Sequence, residues 1–162
     1  MAQLRGRDEV KRRRDRLGTA VALIDGHTLS GELLAHYARY VAVLVSGYIE
    51  QGVKELIREY ARKHGDQRLQ RFVGKQLDRV NGIDTDRLKT LLDALDPGWW
   101  PELEALHADD LEAVKSIVTL RHNVSHGGDS GITVVTVRDY LCRVDPVMKW
   151  LTERLDPPPP SS

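Results

Sequence analysis

Apolar residues recur at spacings of three, four and seven through most of the chain, which is the spacing of amphipathic α-helices. A first apolar stripe predicts a helix from about Leu4 to Ile24. A second stripe is longer and broader, and it predicts a helix from Ser30 to about Lys63 that is wide enough to contact more than one neighbour. Ser30 carries a hydroxyl oxygen suited to cap the start of this helix. One long helix is therefore expected to organise the fold.

The rest of the chain predicts shorter helices separated by turns. These helices are predicted at about residues 69–80, 88–95, 102–107, 111–126 and 136–155. Gly127-Gly128 marks a helix end, and Thr136 followed by Asp139 resembles a capping box at a helix start. The apolar run Ile132–Val135 has no second run with which to form a sheet. The fold class is therefore predicted to be all-α, a bundle of about five or six helices with one long helix.

A length of 162 residues suits one domain. We divide the chain into an N-terminal basic helix and linker at 1–29, a helical domain at 30–156, and a Pro-rich tail at 157–162. The tail consists of four prolines and two serines, a composition typical of an extended, disordered segment.

Composition and charge limit the partners that the chain can attract. Hydrophobic residues make up 41% of the chain but aromatic residues only 6%, so the core is expected to consist mainly of aliphatic side chains. The formal net charge is zero, and the chain as a whole therefore offers no attraction for a polyanion. A nucleic-acid partner needs locally concentrated charge. The basic run Arg5–Arg16 is such a concentration, and it is either a solvated helix face or a contact surface for RNA.

Cys142 is the single cysteine, which excludes an intramolecular disulfide and favours the reducing cytoplasm. Its place on the last predicted helix suggests a small core residue. The N-terminal charges are not followed by the apolar region of a secretory signal. The most apolar stretch, Tyr40–Ile49, is about half of the ~20 residues that a membrane-spanning helix needs. The chain is therefore expected to be soluble, cytoplasmic and free of any membrane contact.

The polar cluster Arg121–His126 follows a helix that is apolar up to Leu120, and Gly127-Gly128 comes directly after it. Arginine stays charged and presents a planar fork that matches phosphate oxygens. Histidine takes up or releases a proton near neutral pH. These side chains suit RNA cleavage by the ribose 2′-hydroxyl, which needs a proton acceptor, a proton donor and positive charge at a phosphorane-like transition state. The alternative is structural, because an Arg or a His near a helix C-terminus also binds the last carbonyl groups.

Helical geometry limits which of these side chains meet. His122 and Asn123 lie four and three positions before His126, so both can share a face with it and orient it or the phosphate. Arg121 lies five positions before His126, which places the two about 140° apart around the helix axis. They approach each other if the last turn tightens or unwinds, or if a symmetric partner brings its own Arg across a two-fold axis. His122 and His126 also have the spacing of a metal pair, but no third or fourth ligand suggests itself, so no metal or other cofactor is predicted.

The segment Leu120–Gly127 resembles the Arg-to-His motif of the HEPN superfamily. Three further segments are similar to the RiboL-PSP-HEPN branch, in the same order along the chain: Tyr40–Gln51, Leu91–Leu103 and Ser130–Tyr140. The resemblance covers roughly Leu33 to Leu155 and is more specific than the short motif.

The resemblance implies a HEPN-like helical bundle, commonly a homodimer, in which the motifs of two protomers meet in one cleft. It implies a metal-independent endoribonuclease for single-stranded RNA, working in a toxin–antitoxin, phage-defence or RNA-processing system with an antitoxin or other regulator. Arg121 and His126 take the catalytic positions of the family. His122 stands where Asn or Asp is usual, and Asn123 is a candidate to take over that role.

Two points stay open at this stage. Glu50 lies on the long, mostly apolar helix, where a polar group either faces the site or is exposed or bonded internally. Other members of the superfamily bind RNA or protein without cutting, so a non-catalytic RNA- or protein-binding dimer is the alternative function. A purely structural dimerisation module is a third.

Overall fold

Helices account for all the regular structure in the part of the chain that the computed structural model describes, residues 3–128 and 131–160. Within these ranges six α-helices and one 3₁₀ turn follow one another: α1 Gly6–Ala22, the turn Leu23–Gly26, α2 Gly31–His64, α3 Gln67–Asp78, α4 Thr85–Leu95, α5 Trp99–Ser125 and α6 Val134–Leu155. With 34 residues, α2 is the longest. The predicted all-α bundle is confirmed. Ser130 and the outermost residues of the predicted segments 1–29 and 157–162 lie outside the described residues.

Side-chain caps explain where the helices begin. Ser30 Oγ accepts the N–H of Leu33 at 3.3 Å, which confirms the predicted start of α2. The start predicted for α6 is wrong, because the cap is Thr133, whose Oγ1 accepts the N–H of Thr136 at 3.2 Å. A cap residue needs an extended backbone, and Thr133 has it, with φ −107° and ψ 161°.

The long helix α2 lies at the centre of the bundle and packs against α1, α3, α5 and α6. Val45, Val53 and Leu56 on this helix are fully buried. Burial of each such side chain contributes about 1.5–3 kcal/mol, so the stripe read from the sequence holds several helices together. At Gly52 the approach of α6 is close, since a Cβ at this position would lie 2.6 Å from Met148 Cε.

The first helix is packed into the same core as α2. Val10 and Leu17 are 5% and 4% exposed. The guanidinium of Arg14 donates two hydrogen bonds, of 2.6 and 2.7 Å, to the carboxylate of Asp145 on α6. The boundary after residue 29 stays a prediction, and α1 shares one hydrophobic core with the helices that follow it.

Helix α5 joins two segments that the sequence predicted as separate helices. It is continuous except at His107, where φ −137° and ψ 31° kink it. Asp110 lies close to that kink, with its carboxylate 3.0 Å from His107 Nδ1. Trp100 and Leu103 before the kink and Leu111 after it are all buried. The kink therefore lets both halves of α5 contribute to the core.

Cys142 is exposed, so the prediction that it is a core residue is wrong. The core face of α6 is formed by Leu141, Val144 and Met148, and successive helix positions are turned by about 100°. Cys142 consequently faces away from the core. Helix α6 continues through Pro146 without a break. Of the helices in the described ranges, none combines the length and the apolar composition that crossing a bilayer requires.

Candidate functional site

The polar cluster lies at the C-terminal end of α5, and a glycine ends that helix. Gly127 has φ +75°, the left-handed conformation that glycine adopts without strain. The N–H of Gly127 donates to the carbonyl of Val124 at 3.1 Å, and the N–H of Gly128 donates to the carbonyl of Asn123 at 3.0 Å. This pair of bonds is the Schellman motif, which satisfies the last carbonyl groups of a helix. The predicted helix end at Gly127-Gly128 is confirmed, and the cluster occupies the final turn.

Arg121 turns from α5 toward the long helix α2. Its Nη1 donates to Oε2 of Glu50 at 3.2 Å. The Arg121 side chain is 38% exposed, whereas that of Glu50 is 10% exposed. A single bond of this length leaves Nη2 and Nε of the guanidinium available, since the structure gives neither of them a hydrogen bond within the described residues. Glu50 is therefore bonded internally, which is one of the two alternatives from the sequence, and one of its bonds reaches Arg121. Its role in a functional site stays a prediction.

The Glu50 carboxylate is shared among four donors: Arg121, Lys54, the backbone of Gly82 and, at 3.4 Å, the side-chain amide of Gln51. Lys54 Nζ donates to Oε1 at 2.8 Å, and the backbone N–H of Gly82 donates to Oε2 at 2.8 Å. Burial raises the pKa of Glu50, but the hydrogen bonds from Lys54 and Gly82 and the charges of Lys54 and Arg121 outweigh it and hold the pKa below its usual value. Glu50 is thus a charged group whose negative charge is answered mainly by Lys54.

Lys54 and the loop around Gly82 are parts of the site that the sequence analysis did not name. Lys54 also donates to the carbonyl of Val80. Gly82 has φ +73°, so the loop reaches Glu50 in a conformation that favours glycine. The spacing of Glu50 and Lys54, four positions apart on a helix, was a signal in the sequence that could have paired them.

His122 and His126 lie on one face, as their spacing predicts. Their ring centroids are 4.4 Å apart, with an angle of 62° between the rings. Both imidazoles and the side chain of Asn123 are exposed. The helical pattern persists to Ser125, so the last turn does not unwind to bring Arg121 to His126. Within the described part of one protomer, Arg121 pairs with Glu50 and His126 contacts His122.

A groove of about 530 Å³ lies between α1 and α2, and Arg121 forms part of its wall. Four arginines line it and no carboxylate does. The lining residues are Arg12, Arg13, Arg16, Leu17 and Ala20 of α1, Tyr40, Val43, Leu44, Gly47, Tyr48 and Gln51 of α2, and Arg121 of α5. The exposed side of Arg121 therefore opens onto a basic channel.

No three His, Cys, Asp or Glu side chains within residues 3–128 and 131–160 are grouped closely enough to hold a metal ion. The pair His122 and His126 has no third ligand beside it there. That the protein works without a metal stays a prediction.

The structure is thus an all-α bundle whose long central helix α2 faces the helix end that carries Arg121 and His126. The family model described as RiboL-PSP-HEPN matches residues 8–144, and the chain therefore belongs to this family. The match begins within α1 and ends within α6. Searches of curated proteins and of solved structures gave no match. The resemblance read from the sequence is confirmed, and membership supports a nuclease or another RNA-related module in general terms.

Proposed function

We propose that the protein is a metal-independent endoribonuclease that cleaves single-stranded RNA by attack of the ribose 2′-hydroxyl. The observation that carries this proposal is the half-exposed Arg121 guanidinium, which is held at the edge of a basic groove and lies at the same helix end as an exposed histidine pair. His122 and Asn123 are supporting residues beside His126.

The chemistry assigns a role to each group. One imidazole accepts the proton of the 2′-hydroxyl while O2′ attacks phosphorus, and a second proton donor protonates the departing 5′ oxygen. The products are a 2′,3′-cyclic phosphate and a free 5′-hydroxyl. Arg121 stabilises the negative charge that develops on the phosphorane oxygens. Its two unbonded nitrogens can donate a pair of parallel hydrogen bonds to two phosphate oxygens.

Helix geometry favours a site shared between two protomers. Arg121 and His126 are about 140° apart on a helix that stays regular between them. A two-fold axis near the end of α5 would place Arg121 of one protomer opposite His126 of the other. We therefore propose a homodimer as the active form.

Glu50 acts in this proposal as a positioning residue. It holds Arg121 through one hydrogen bond, while Lys54 supplies most of the balancing charge. The guanidinium is thus held in place, and its positive charge is only partly balanced. It can therefore still bind a phosphate.

The test is cleavage of single-stranded RNA in the presence of EDTA, with the ends mapped. Arg121→Ala and His126→Ala are each expected to lower the cleavage rate by about 10²–10³-fold. Arg143→Ala and His36→Ala serve as matched controls, since Arg143 and His36 are exposed residues on α6 and α2 outside the site. If both site variants cut at the wild-type rate, Arg121 and His126 are not the catalytic residues.

Mixing the two inactive variants tests the shared site. A dimer of one Arg121→Ala chain and one His126→Ala chain keeps one intact Arg–His pair across the two-fold axis. Random exchange of protomers should therefore restore up to about a quarter of the wild-type activity. If the protomers exchange and the mixture stays inactive, the shared site is contradicted. Only a site shared between chains can be rebuilt from one Arg121→Ala chain and one His126→Ala chain.

The ion pair between Arg121 and Glu50 favours a second candidate, an RNA- or protein-binding dimer that does not cut. In that case the guanidinium serves the fold and the groove serves binding. Binding without any cleavage product in EDTA or in Mg²⁺ would support this candidate.

We further propose that the nuclease works in the cytoplasm as a toxin or phage-defence effector under an antitoxin or other regulator. The support is the resemblance of the chain to its family. Expression should arrest growth of a bacterial host, and His126→Ala should relieve the arrest. Equal arrest by wild type and variant would contradict this role.

A further inference from the structure

The basic run at the start of the chain is divided between different surfaces. Lys11 forms an exposed pair with Asp15, and Arg14 binds Asp145 of α6. Three other arginines of the run, Arg12, Arg13 and Arg16, line the groove that also contains Arg121. The helix therefore directs part of its positive charge toward the candidate site.

The groove keeps a net positive charge after its internal pairs are counted. Arg12 and Arg13 share one carboxylate, that of Glu9, at 2.6 and 2.8 Å. Within the described residues the structure gives Arg16 no ion pair. Arg121 shares Glu50 with Lys54. Two carboxylates thus stand against five cationic groups, which leaves an excess of three positive charges around the groove.

The floor of the groove has room and an aromatic surface. A Cβ placed on Gly47 would meet no atom within 4 Å. Tyr40 is 56% exposed at the groove, and Val43 and Leu44 continue the apolar floor. Arginines combined with an exposed aromatic ring are the elements with which proteins hold single strands, through phosphate contacts and base stacking. Arg12 and Arg16 are one helical turn apart, about 6 Å along the axis, a separation comparable to that of successive phosphates in an extended strand.

We propose that the groove between α1 and α2 binds the single-stranded RNA next to the scissile phosphate, with Arg16, Arg12 and Arg13 on its phosphates and Tyr40 beneath a base. This inference rests on the proposed function, because it describes the path that the RNA strand takes across the protein to reach Arg121. The excess of positive charge selects a polyanion over an apolar or basic occupant.

The test measures binding apart from cleavage. A fluorescein-labelled 12-nucleotide single-stranded RNA is titrated with the His126→Ala protein by fluorescence anisotropy at several salt concentrations. Adding Arg16→Gln to this protein should make the slope of log K against log salt less negative by about 0.7. The loss of affinity between 50 and 200 mM salt should therefore be about 2.6-fold smaller. Adding Lys11→Gln, the same change of charge on the same helix, should leave the slope as it was.

A second pair of variants tests the position of the strand. Gly47→Glu adds a carboxylate at the groove, at a position where an added Cβ meets no atom within 4 Å. It should weaken binding about tenfold or more at low salt. Gly74→Glu is the matched control, because Gly74 lies within α3, away from the groove lining, and a Cβ there also meets no atom within 4 Å.

The outcomes separate this inference from the nuclease itself. If wild type cuts RNA but Arg16→Gln and Gly47→Glu bind as their controls do, the groove is not the path, and the nuclease proposal stands. If the groove variants lose binding while wild type never cuts, the groove is supported and the nuclease fails. If Gly47→Glu changes only the oligomeric state and not RNA affinity, the occupant is a second copy of the chain and the inference is overturned.

Discussion

Replacing Glu50 with Gln tests the contribution of the negative charge that links α2, α5 and the loop around Gly82. The amide is nearly the same size as the carboxylate, and its oxygen still accepts one hydrogen bond. What disappears is the negative charge opposite Lys54, whose side chain is 7% exposed. The variant therefore leaves a nearly buried ammonium without a counter-charge.

The expected cost is about 2–3 kcal/mol in the free energy of unfolding. Breaking a buried ion pair by removing one partner costs about 3–5 kcal/mol, and the bond that Gln retains returns part of this. For a domain of this size, 1 kcal/mol corresponds to about 2–4 °C in melting temperature. Glu50→Gln should therefore melt about 4–12 °C below wild type.

Urea unfolding followed by circular dichroism at pH 7 measures this difference. Asp78→Asn is the matched control, because it removes the charge of an exposed carboxylate that binds Arg58 at 2.9 Å. Exposed pairs contribute only about 0–1 kcal/mol, so this variant should unfold close to wild type.

The pH dependence gives the effect a sign. The pKa of Glu50 in the folded protein lies below the ordinary value of 4.5. A group with a lowered pKa contributes stability that is complete above its unfolded-state pKa and is lost as the pH falls through its folded-state pKa. The gap between wild type and Glu50→Gln should thus be full at pH 7 and shrink below pH 4.5. Equal midpoints at pH 7, or a gap unchanged at acid pH, would refute the reasoning.

Two further changes test the helix end and the core. Gly127→Ala forces φ +75° on a residue with a Cβ. It should lower the free energy of unfolding by about 1–2 kcal/mol, measured by urea unfolding, and reduce RNA cleavage in an end-mapped assay. Unchanged stability would mean that the left-handed turn is dispensable. Leu103→Ala empties a fully buried position and should cost about 2–5 kcal/mol in the same unfolding measurement; a loss below about 1 kcal/mol would show that the core around α5 closes over the space.

The parts of the fold that follow from local rules could be predicted from the sequence. The stripe of α2, the cap at Ser30 and the helix end at Gly127 each depend on residues within a few positions of one another. The shared face of His122 and His126 follows from their spacing in the same way. Helical periodicity and capping chemistry are sufficient for such features.

Contacts between distant segments could not be predicted in this way. Arg121 and Glu50 are 71 positions apart, and no periodicity relates them. Glu50 was a candidate only because it interrupts an apolar stripe. The basic run of α1 was visible, but its division between the groove and Asp145 depends on how α1 is rotated against α2 and α6. Cys142 was misplaced for a similar reason, since one helix position decides between core and surface.

The start of α1 is clamped to the end of α6 by one buried carboxylate. Asp156 accepts the backbone N–H of Arg7 at 2.7 Å and also binds the ammonium of Lys63. Helix α1, which these bonds hold in place, forms one wall of the groove. It also contributes the side chains of Val10 and Leu17 to the core. A shortened protein beginning at Ser30 would be an open half-groove over an uncovered apolar surface. We therefore expect a unit that folds on its own to extend at least from Gly6 to Asp156.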